Sequence, residues 1–247
     1  MQMIIYGTLW IVLVHIFIRS SLKLNKIKAL HIIKIISLML LSYKVIEYGS
    51  SWIQKDFSKM PVEYSAITYI LFSATFLFNI KPLKTFVTFA AFLSGIGYLV
   101  TFPFLGTIFI EGNGLMTTML ALLNHSLLYV GSIIVMRNLL FNDQTKKPIL
   151  LMTIIVVAYS IAMQYLINFE GKYLFIYMLL DGRILYSLFK NVDINGFVFL
   201  PYNLMIVSIY LGMISIFFKA NHKIYFMNLA PYPIRIRKEV VKHEHTI

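Results

Sequence analysis

Cysteine is missing from all 247 residues, and charged residues make up only 13% of the chain. Without thiols, the protein has no disulfide, no thiolate nucleophile and no cysteine metal site. So few charges are also too few to cover the surface of a soluble domain of this length. Because 59% of the residues are hydrophobic and the mean hydropathy is +0.79, the composition predicts an all-α, polytopic membrane helix bundle.

Acidic residues are scarce too: ten stand against 22 lysines and arginines, and the formal net charge is +12. Such a charge can indicate a nucleic-acid partner, but no soluble domain is present to carry a basic face. We therefore expect no nucleic-acid partner and interpret the charge as a topology signal and an attraction to membrane lipid. Phosphate-binding loops, zinc spacings, nucleotide fingerprints and internal repeats are also missing, so we expect no metal and no cofactor.

Seven apolar runs are long enough to cross a membrane. They lie at about 3–18, 30–48, 61–80, 84–102, 115–140, 148–168 and 198–218. These runs predict a seven-helix transmembrane domain, residues 1–220, followed by a basic cytoplasmic tail, residues 221–247. We expect a short loop at 103–114, and interfacial or re-entrant pieces in the long connector 169–197.

The basic residues that flank these runs divide unevenly between the two faces of the membrane. In the seven-helix arrangement, fifteen lie on the side of the carboxyl terminus and five on the opposite side. Cytoplasmic segments carry the excess of lysine and arginine, so we expect the amino terminus outside and the carboxyl terminus inside a cell membrane. Adding or removing one helix would scramble this asymmetry.

The fifth run carries an ionisable residue far from either end. Counted from Arg137 at about 1.5 Å per residue, His125 lies about 18 Å inside a hydrocarbon core about 30 Å thick. A residue of this kind usually faces the bundle interior and marks a functional site. A neutral imidazole that only bridges two helices is an equal alternative. The polar or small residues at helical spacing on this face are Thr118, Ala121, His125, Tyr129 and Ser132.

Charged or polar residues also occur in the second and third runs. Lys44 and Glu47 can form an i,i+3 ion pair near the outer end of their helix. Glu47 also belongs to the same outer half as His125. Pro61 is predicted as the first residue of the third helix. Ser65, one turn later, is interpreted first as a packing residue bonded to the preceding turn.

Two further helices carry short patterns. In the fourth, Ala90 with Ser94 and Ala91 with Gly95 repeat small residues every four positions, which favours the close approach of a neighbouring backbone. In the sixth, a polar stripe rises toward the outer face, and interhelical hydrogen bonding is favoured over ligand contact. The stripe consists of Ser160, Gln164 and Asn168.

Helices three to six resemble the YwaF-like integral membrane proteins, which are related to a eukaryotic transmembrane acyltransferase acting on phospholipids. The resembling stretch covers residues 47–174, roughly half of the chain. It rests on the segments Pro-Val-Glu-Tyr-Ser at 61–65, the glycines of 95–97, Thr-Phe-Pro at 101–103, Asn-His-Ser-Leu-Leu at 124–128, and Gln-Tyr at 164–165 with Lys-Tyr at 172–173. The order and the helix positions of these segments carry the resemblance.

The resemblance implies an acyl-transfer site built from a cysteine on helix three and the histidine on helix five. In this chain Ser65 stands at the cysteine position. A serine needs a base to take its proton, and His125 is the candidate base. Glu47 is the candidate carboxylate that orients the imidazole, as in a serine triad.

Three hypotheses follow for the function. The first is a lipid acyltransferase or hydrolase with Ser65, His125 and Glu47 as catalytic residues. The second is a transporter or lipid-binding bundle without covalent chemistry. The third is a structural membrane protein whose polar residues only fasten helices. The substrate-binding candidates are Asn124, Tyr129, Gln164 and Asn168.

Overall fold

The computed structural model describes residues 2–55, 61–166 and 199–227, and these ranges contain seven α-helices and no β-strand. The helices are α1 (Gln2–Ser21), α2 (Lys26–Ile53), α3 (Tyr64–Leu77), α4 (Lys84–Asn113), α5 (Leu115–Asn138), α6 (Lys146–Leu166) and α7 (Leu200–Met227). Short 3₁₀ turns, Lys81–Leu83 and Asp143–Thr145, precede α4 and α6. The predicted all-α class is confirmed. The connector 169–197 and the tail beyond Met227 lie outside the described residues.

Six of these helices are long and apolar enough to cross a membrane. The exception is α3, which has 14 residues and is therefore about 21 Å long, at about 1.5 Å per residue. Large apolar side chains lie exposed along α1, α2, α6 and α7, as expected where a helix faces lipid rather than water. The described helices are those of a multi-pass membrane protein.

The third helix starts later than the sequence indicates, so the prediction that Pro61 is its first residue is wrong. Pro61 and Val62 form a turn, and Glu63 is the extended residue before Tyr64. The hydroxyl of Ser160 on α6 donates to the Val62 carbonyl at 2.8 Å, and the Val62 side chain is buried. The turn is therefore held by contacts from α6 that compete with an earlier helix start.

The predicted loop at 103–114 is also wrong, because α4 continues through Pro103 to Asn113. A proline inside a helix removes one backbone hydrogen bond and bends the helix. At Pro103, Gly7 of α1 lies so close that an added Cβ would be 2.7 Å from Cγ of the proline. The connection to α5 shrinks to Gly114, whose φ of +80° is a conformation that glycine adopts without strain.

The chain divides into two compact units, and the first comprises residues 1–36, 91–145 and 216–247. Its central helix is α5. In the apolar stretch of α5, 67% of the residues are buried, whereas 17–28% are buried in the corresponding stretches of the other candidate spans. At the end of α5, the buried Asn221 of α7 donates to the carbonyls of Met136 and Leu139 at 2.9 and 2.7 Å. Its side-chain oxygen accepts from the Phe141 amide at 2.8 Å. One side chain thus closes the carboxyl end of α5.

The second unit comprises residues 37–90 and 146–215. In it α3 packs against α6, and a hydroxyl pair, Thr153 with Tyr210, joins α6 to α7. The Thr153 hydroxyl also donates to the Ile149 carbonyl at 2.8 Å, so the shared proton of the pair comes from Tyr210. The ring of Phe89 meets Tyr210 edge-on, with centroids 5.5 Å apart. Aromatic and hydroxyl contacts thus tie together the α4, α6 and α7 parts of this unit.

Candidate functional site around His125

The polar triplet of α5 lies near the middle of the helix. His125 stands ten residues after Leu115 and thirteen before Asn138, which places it about 15 and about 20 Å from the two ends. Asn124, His125 and Ser126 are 6%, 9% and 4% exposed. The prediction that the triplet faces the interior is confirmed.

The protonation pattern of the imidazole follows from one hydrogen bond. Nδ1 of His125 lies 2.8 Å from the Ala121 carbonyl oxygen. A carbonyl can only accept, so Nδ1 carries the proton of that bond, and in the neutral ring Nε2 is then the nitrogen with the lone pair. The backbone of α5 therefore favours the Nδ1-protonated tautomer of the neutral ring.

An aromatic ring from α4 covers one face of this imidazole. Tyr98 stacks on His125 with ring centroids 4.2 Å apart and planes 13° apart. Tyr98 continues into a column of rings on α4, with Phe102 at 6.1 Å and Phe109 at 5.5 Å. This stacking locks the orientation of the imidazole plane and keeps lipid off that face.

A glycine brings the α4 backbone against the same region of α5. An added Cβ on Gly95 would lie 2.8 Å from the His125 carbonyl oxygen and 2.6 Å from Cβ of Tyr129. No real Cβ tolerates such contacts with backbone, so only glycine fits. The close approach that the small-residue spacing predicts is therefore found at Gly95. Tyr129, a predicted binding residue, is half-buried against this glycine and against Phe92, whose ring centroid is 5.9 Å away.

Ser126 connects α5 to α1. Its hydroxyl donates to the Leu122 carbonyl at 2.7 Å and accepts from the indole nitrogen of Trp10 at 2.8 Å. The sequence interpretation missed both Trp10 and Tyr98, although each is a polar-tipped aromatic residue in an apolar helix. An indole N–H placed in hydrocarbon needs an acceptor. Trp10 in an apolar helix is therefore a sequence signal for a hydrogen-bond partner on a neighbouring helix.

The remaining polar residues of the α5 face bond locally. The Thr118 hydroxyl lies within bonding distance of the Gly114 and Phe109 carbonyls, at 2.9 and 3.0 Å. Ser132 donates to the Tyr129 carbonyl at 2.7 Å. In these contacts the hydroxyl groups bond to backbone carbonyls of the neighbouring turn or, for Thr118, of α4. They therefore stabilise the hairpin formed by α4 and α5.

The other candidate catalytic residues belong to the second unit. Ser65 is half-buried in the first turn of α3. Glu47 accepts from Lys44 at 2.6 Å and from the Tyr43 hydroxyl at 3.5 Å. The predicted ion pair between Lys44 and Glu47 is therefore confirmed.

Lys44 is enclosed more fully than the sequence indicates. Its ammonium lies 5.2, 5.3 and 4.9 Å from the ring centroids of Tyr43, Tyr48 and Tyr69. Three aromatic faces and one carboxylate around one cation stabilise the charge away from water. Tyr69 stands on α3, so the cage ties α2 to α3.

The predicted catalytic set is thus divided between the units, with His125 in the first and both Ser65 and Glu47 in the second. Their joint action stays a prediction. Of the predicted binding residues, the Gln164 side chain and Asn168 lie outside the described residues. The Ser160 hydroxyl at the base of their stripe bonds the Val62 carbonyl in the turn before α3, so this member of the stripe makes a contact within the protein.

Within residues 2–55, 61–166 and 199–227, no three His, Asp or Glu side chains come together as a metal-binding group. Comparison of the chain with protein-family models, with curated proteins and with solved structures gives no match. The resemblance to the YwaF-like proteins therefore stays a prediction made from the sequence.

Proposed function

We propose that the protein crosses a cell membrane seven times, with its amino terminus outside, its carboxyl terminus inside and α3 as the shortest crossing. The division of basic residues supports this arrangement. If α3 stayed on one face, the flanking basic residues would divide thirteen to seven rather than fifteen to five. A short crossing is accommodated by local thinning of the bilayer and by flanking lysines that reach the surface.

The absence of cysteine gives this topology a direct test, because any introduced thiol is the only one in the protein. Gln54→Cys stands after α2, and Phe78→Cys stands after α3; both positions are exposed. A membrane-impermeant maleimide applied to intact cells should label Gln54→Cys and leave Phe78→Cys unlabelled until the membrane is opened. Labelling of both positions from outside would show that α3 does not cross.

For function, the site supports proton transfer at mid-depth in the membrane, and the reaction that we propose is acyl transfer to or from membrane lipid. The observation that carries this proposal is the bond from Nδ1 of His125 to the Ala121 carbonyl, since in the neutral imidazole it leaves the basic lone pair on Nε2. The Ala121 carbonyl then does the orienting that a triad assigns to a carboxylate. Glu47 forms an ion pair with Lys44 and has no direct role in the proposed proton transfer.

Ser65 is the proposed nucleophile. It lies in the first turn of α3, where the positive end of the helix dipole favours a developing oxyanion. Nε2 of His125 takes the hydroxyl proton while Oγ forms a bond to the ester carbonyl carbon. The ester C–O bond then breaks, and the leaving alcohol receives the proton from His125. A second alcohol or water attacks the acyl-serine, again with His125 as base, and restores Ser65.

The second candidate function is lipid binding or transport without a covalent step. It is favoured by contacts of His125 and Ser126 that lie within the first unit. His125 bonds to Ala121 and stacks on Tyr98. Ser126 bonds to Leu122 and Trp10. Such contacts fasten α5 to α1 and α4. In this candidate, which includes a purely structural membrane protein, the polar residues of α5 stabilise the unit and carry out no covalent step.

Lipid turnover by the purified full chain in liposomes distinguishes the two candidates. Ser65→Ala and His125→Ala should each abolish turnover, and the double variant should be no worse than either, because residues that act as one unit are non-additive. Ser65→Cys should retain turnover, and Ser215→Ala, an exposed helical serine of α7, is the matched control. Turnover that survives Ser65→Ala would remove the nucleophile, and a wild type without turnover would favour the second candidate.

A further inference from the structure

The amino-terminal end of α2 carries a concentration of positive charge that the His125 site does not use. Residues 1–46 contain six basic residues and no acidic residue. Within the described parts of the chain, the structure has no ion pair to Lys26 or Lys34; the one ion pair found there joins Lys44 to Glu47. Among the described residues, no carboxylate neutralises this surface, and a positive surface attracts anions from its surroundings.

Side chains at this end of α2 form an open groove of about 410 Å³. It is lined by Lys26, Ile27, Leu30, His31 and Lys34. All five are on one side of the helix, and Lys34 stands two turns, about 12 Å, beyond Lys26. Both lysines nevertheless line the same groove, one at each end of it along the helix.

The groove is apolar between its cations. Ile27 is 70% exposed and Leu30 is 48% exposed, and both lie between the two lysines in sequence. The Nδ1 of His31 bonds the Ile27 carbonyl at 2.9 Å, which holds the ring along this wall. A free inorganic anion gains nothing from exposed Ile27 and Leu30, whereas the glycerol and upper acyl chain of a lipid bury them.

We infer that this groove binds the headgroup of an anionic phospholipid, with the phosphodiester between Lys26 and Lys34 and the glycerol region against Ile27 and Leu30. The location suits the assignment, since the groove lies in the first turns of a helix long and apolar enough to cross the membrane. That is the depth at which phosphates and the start of the acyl chains are found. The helix amino terminus adds a weaker attraction for the same charge. The inference does not depend on the proposed acyl chemistry.

The test is native mass spectrometry of the purified full chain titrated with phosphatidylglycerol or with phosphatidylcholine. We expect the wild type to bind phosphatidylglycerol in preference, and Lys26→Gln with Lys34→Gln to weaken that binding by roughly 10- to 30-fold. The matched control is Lys146→Gln with Lys147→Gln, which removes the same charge at the start of α6 and should change the affinity less than about twofold. Lys26→Arg with Lys34→Arg should retain binding. Thermal unfolding of each variant checks that the fold is kept.

Three results would overturn the inference. Equal losses in the two double glutamine variants would mean that net charge attracts the lipid without a defined site. Unchanged phosphatidylglycerol binding in Lys26→Gln with Lys34→Gln would remove the groove as the site. Displacement of the lipid by an equal concentration of inorganic phosphate would show that the groove recognises the phosphate alone.

Discussion

The polar residues of α5 and those of α2 are stabilised in two different ways. At mid-depth on α5, His125 and Ser126 bond to backbone carbonyls and an indole, and no charged side chain is among those partners. On α2, Lys44 and Glu47 form an ion pair inside a tyrosine cage, with side chains 12% and 22% exposed. A full charge is costly far from water, so Lys44 and Glu47 neutralise each other, whereas the contacts named for His125 and Ser126 are made by neutral groups.

The comparison also shows how each cluster depends on its neighbours. The α5 cluster needs a close helix approach, because its ring stacking and backbone contacts act over short distances. The α2 cluster depends on charge compensation, because either ion alone would lie partly buried without its partner. The following predictions separate these two dependences.

The largest effect is expected where the α5 cluster meets α4. Gly95→Ala places a Cβ within 2.8 Å of backbone atoms of α5, so the helices must separate, at a cost of about 2–3 kcal/mol in the free energy of unfolding. The matched control is Gly97→Ala on the same helix, which meets nothing within 4 Å and should be neutral or stabilising by up to about 1 kcal/mol. Denaturant unfolding in detergent measures both. Equal effects of the two substitutions would show that the approach at Gly95 is not tight.

An intermediate effect is expected for the ion pair. Glu47→Gln leaves the Lys44 ammonium without its carboxylate, and we expect a loss of about 1–3 kcal/mol, below the value for fully buried pairs because both groups keep some solvent contact. The double variant with Lys44→Gln should lose less than the sum of the single losses, since the two residues are coupled. A double-variant cycle by denaturant unfolding provides the coupling energy. Strict additivity would mean that the pair contributes nothing.

The smallest effect is expected for the bond between Trp10 and Ser126. Ser126→Ala removes the acceptor from the indole N–H and should destabilise the protein by about 1–2 kcal/mol. The protein contains two tryptophans, so a Trp52→Phe background isolates the emission of Trp10. Loss of the hydrogen bond should shift that emission to shorter wavelength, and Ser132→Ala, whose hydroxyl bonds Tyr129, should leave it unchanged. An unshifted emission in Ser126→Ala would contradict the bond.

The sequence predicts those features of the fold that depend on local pattern. Apolar runs locate the long helices, the spacing of Lys44 and Glu47 predicts their pairing, and the depth of His125 predicts its burial. Small-residue spacing also identifies Gly95. Each of these follows from residues within one or two turns of each other, where helical geometry is known in advance.

What the sequence could not predict depends on partners distant along the chain. Pro103 looks like a helix end until Gly7 of α1 is placed against it. Pro61 looks like a helix start until Ser160 takes the Val62 carbonyl. The stacking of Tyr98 on His125 and the bond from Trp10 to Ser126 need the packing of α4 and α1 on α5. These are tertiary effects that override local propensity.

The clamp formed by Asn221 also has a consequence for synthesis. The carbonyls of Met136 and Leu139 are made some 80 residues before the side chain that satisfies them. Until α7 leaves the ribosome, the end of α5 must find other hydrogen-bond donors, because orphan carbonyls are costly in a membrane. Insertion of α5 and completion of its last turn are therefore separate events in time.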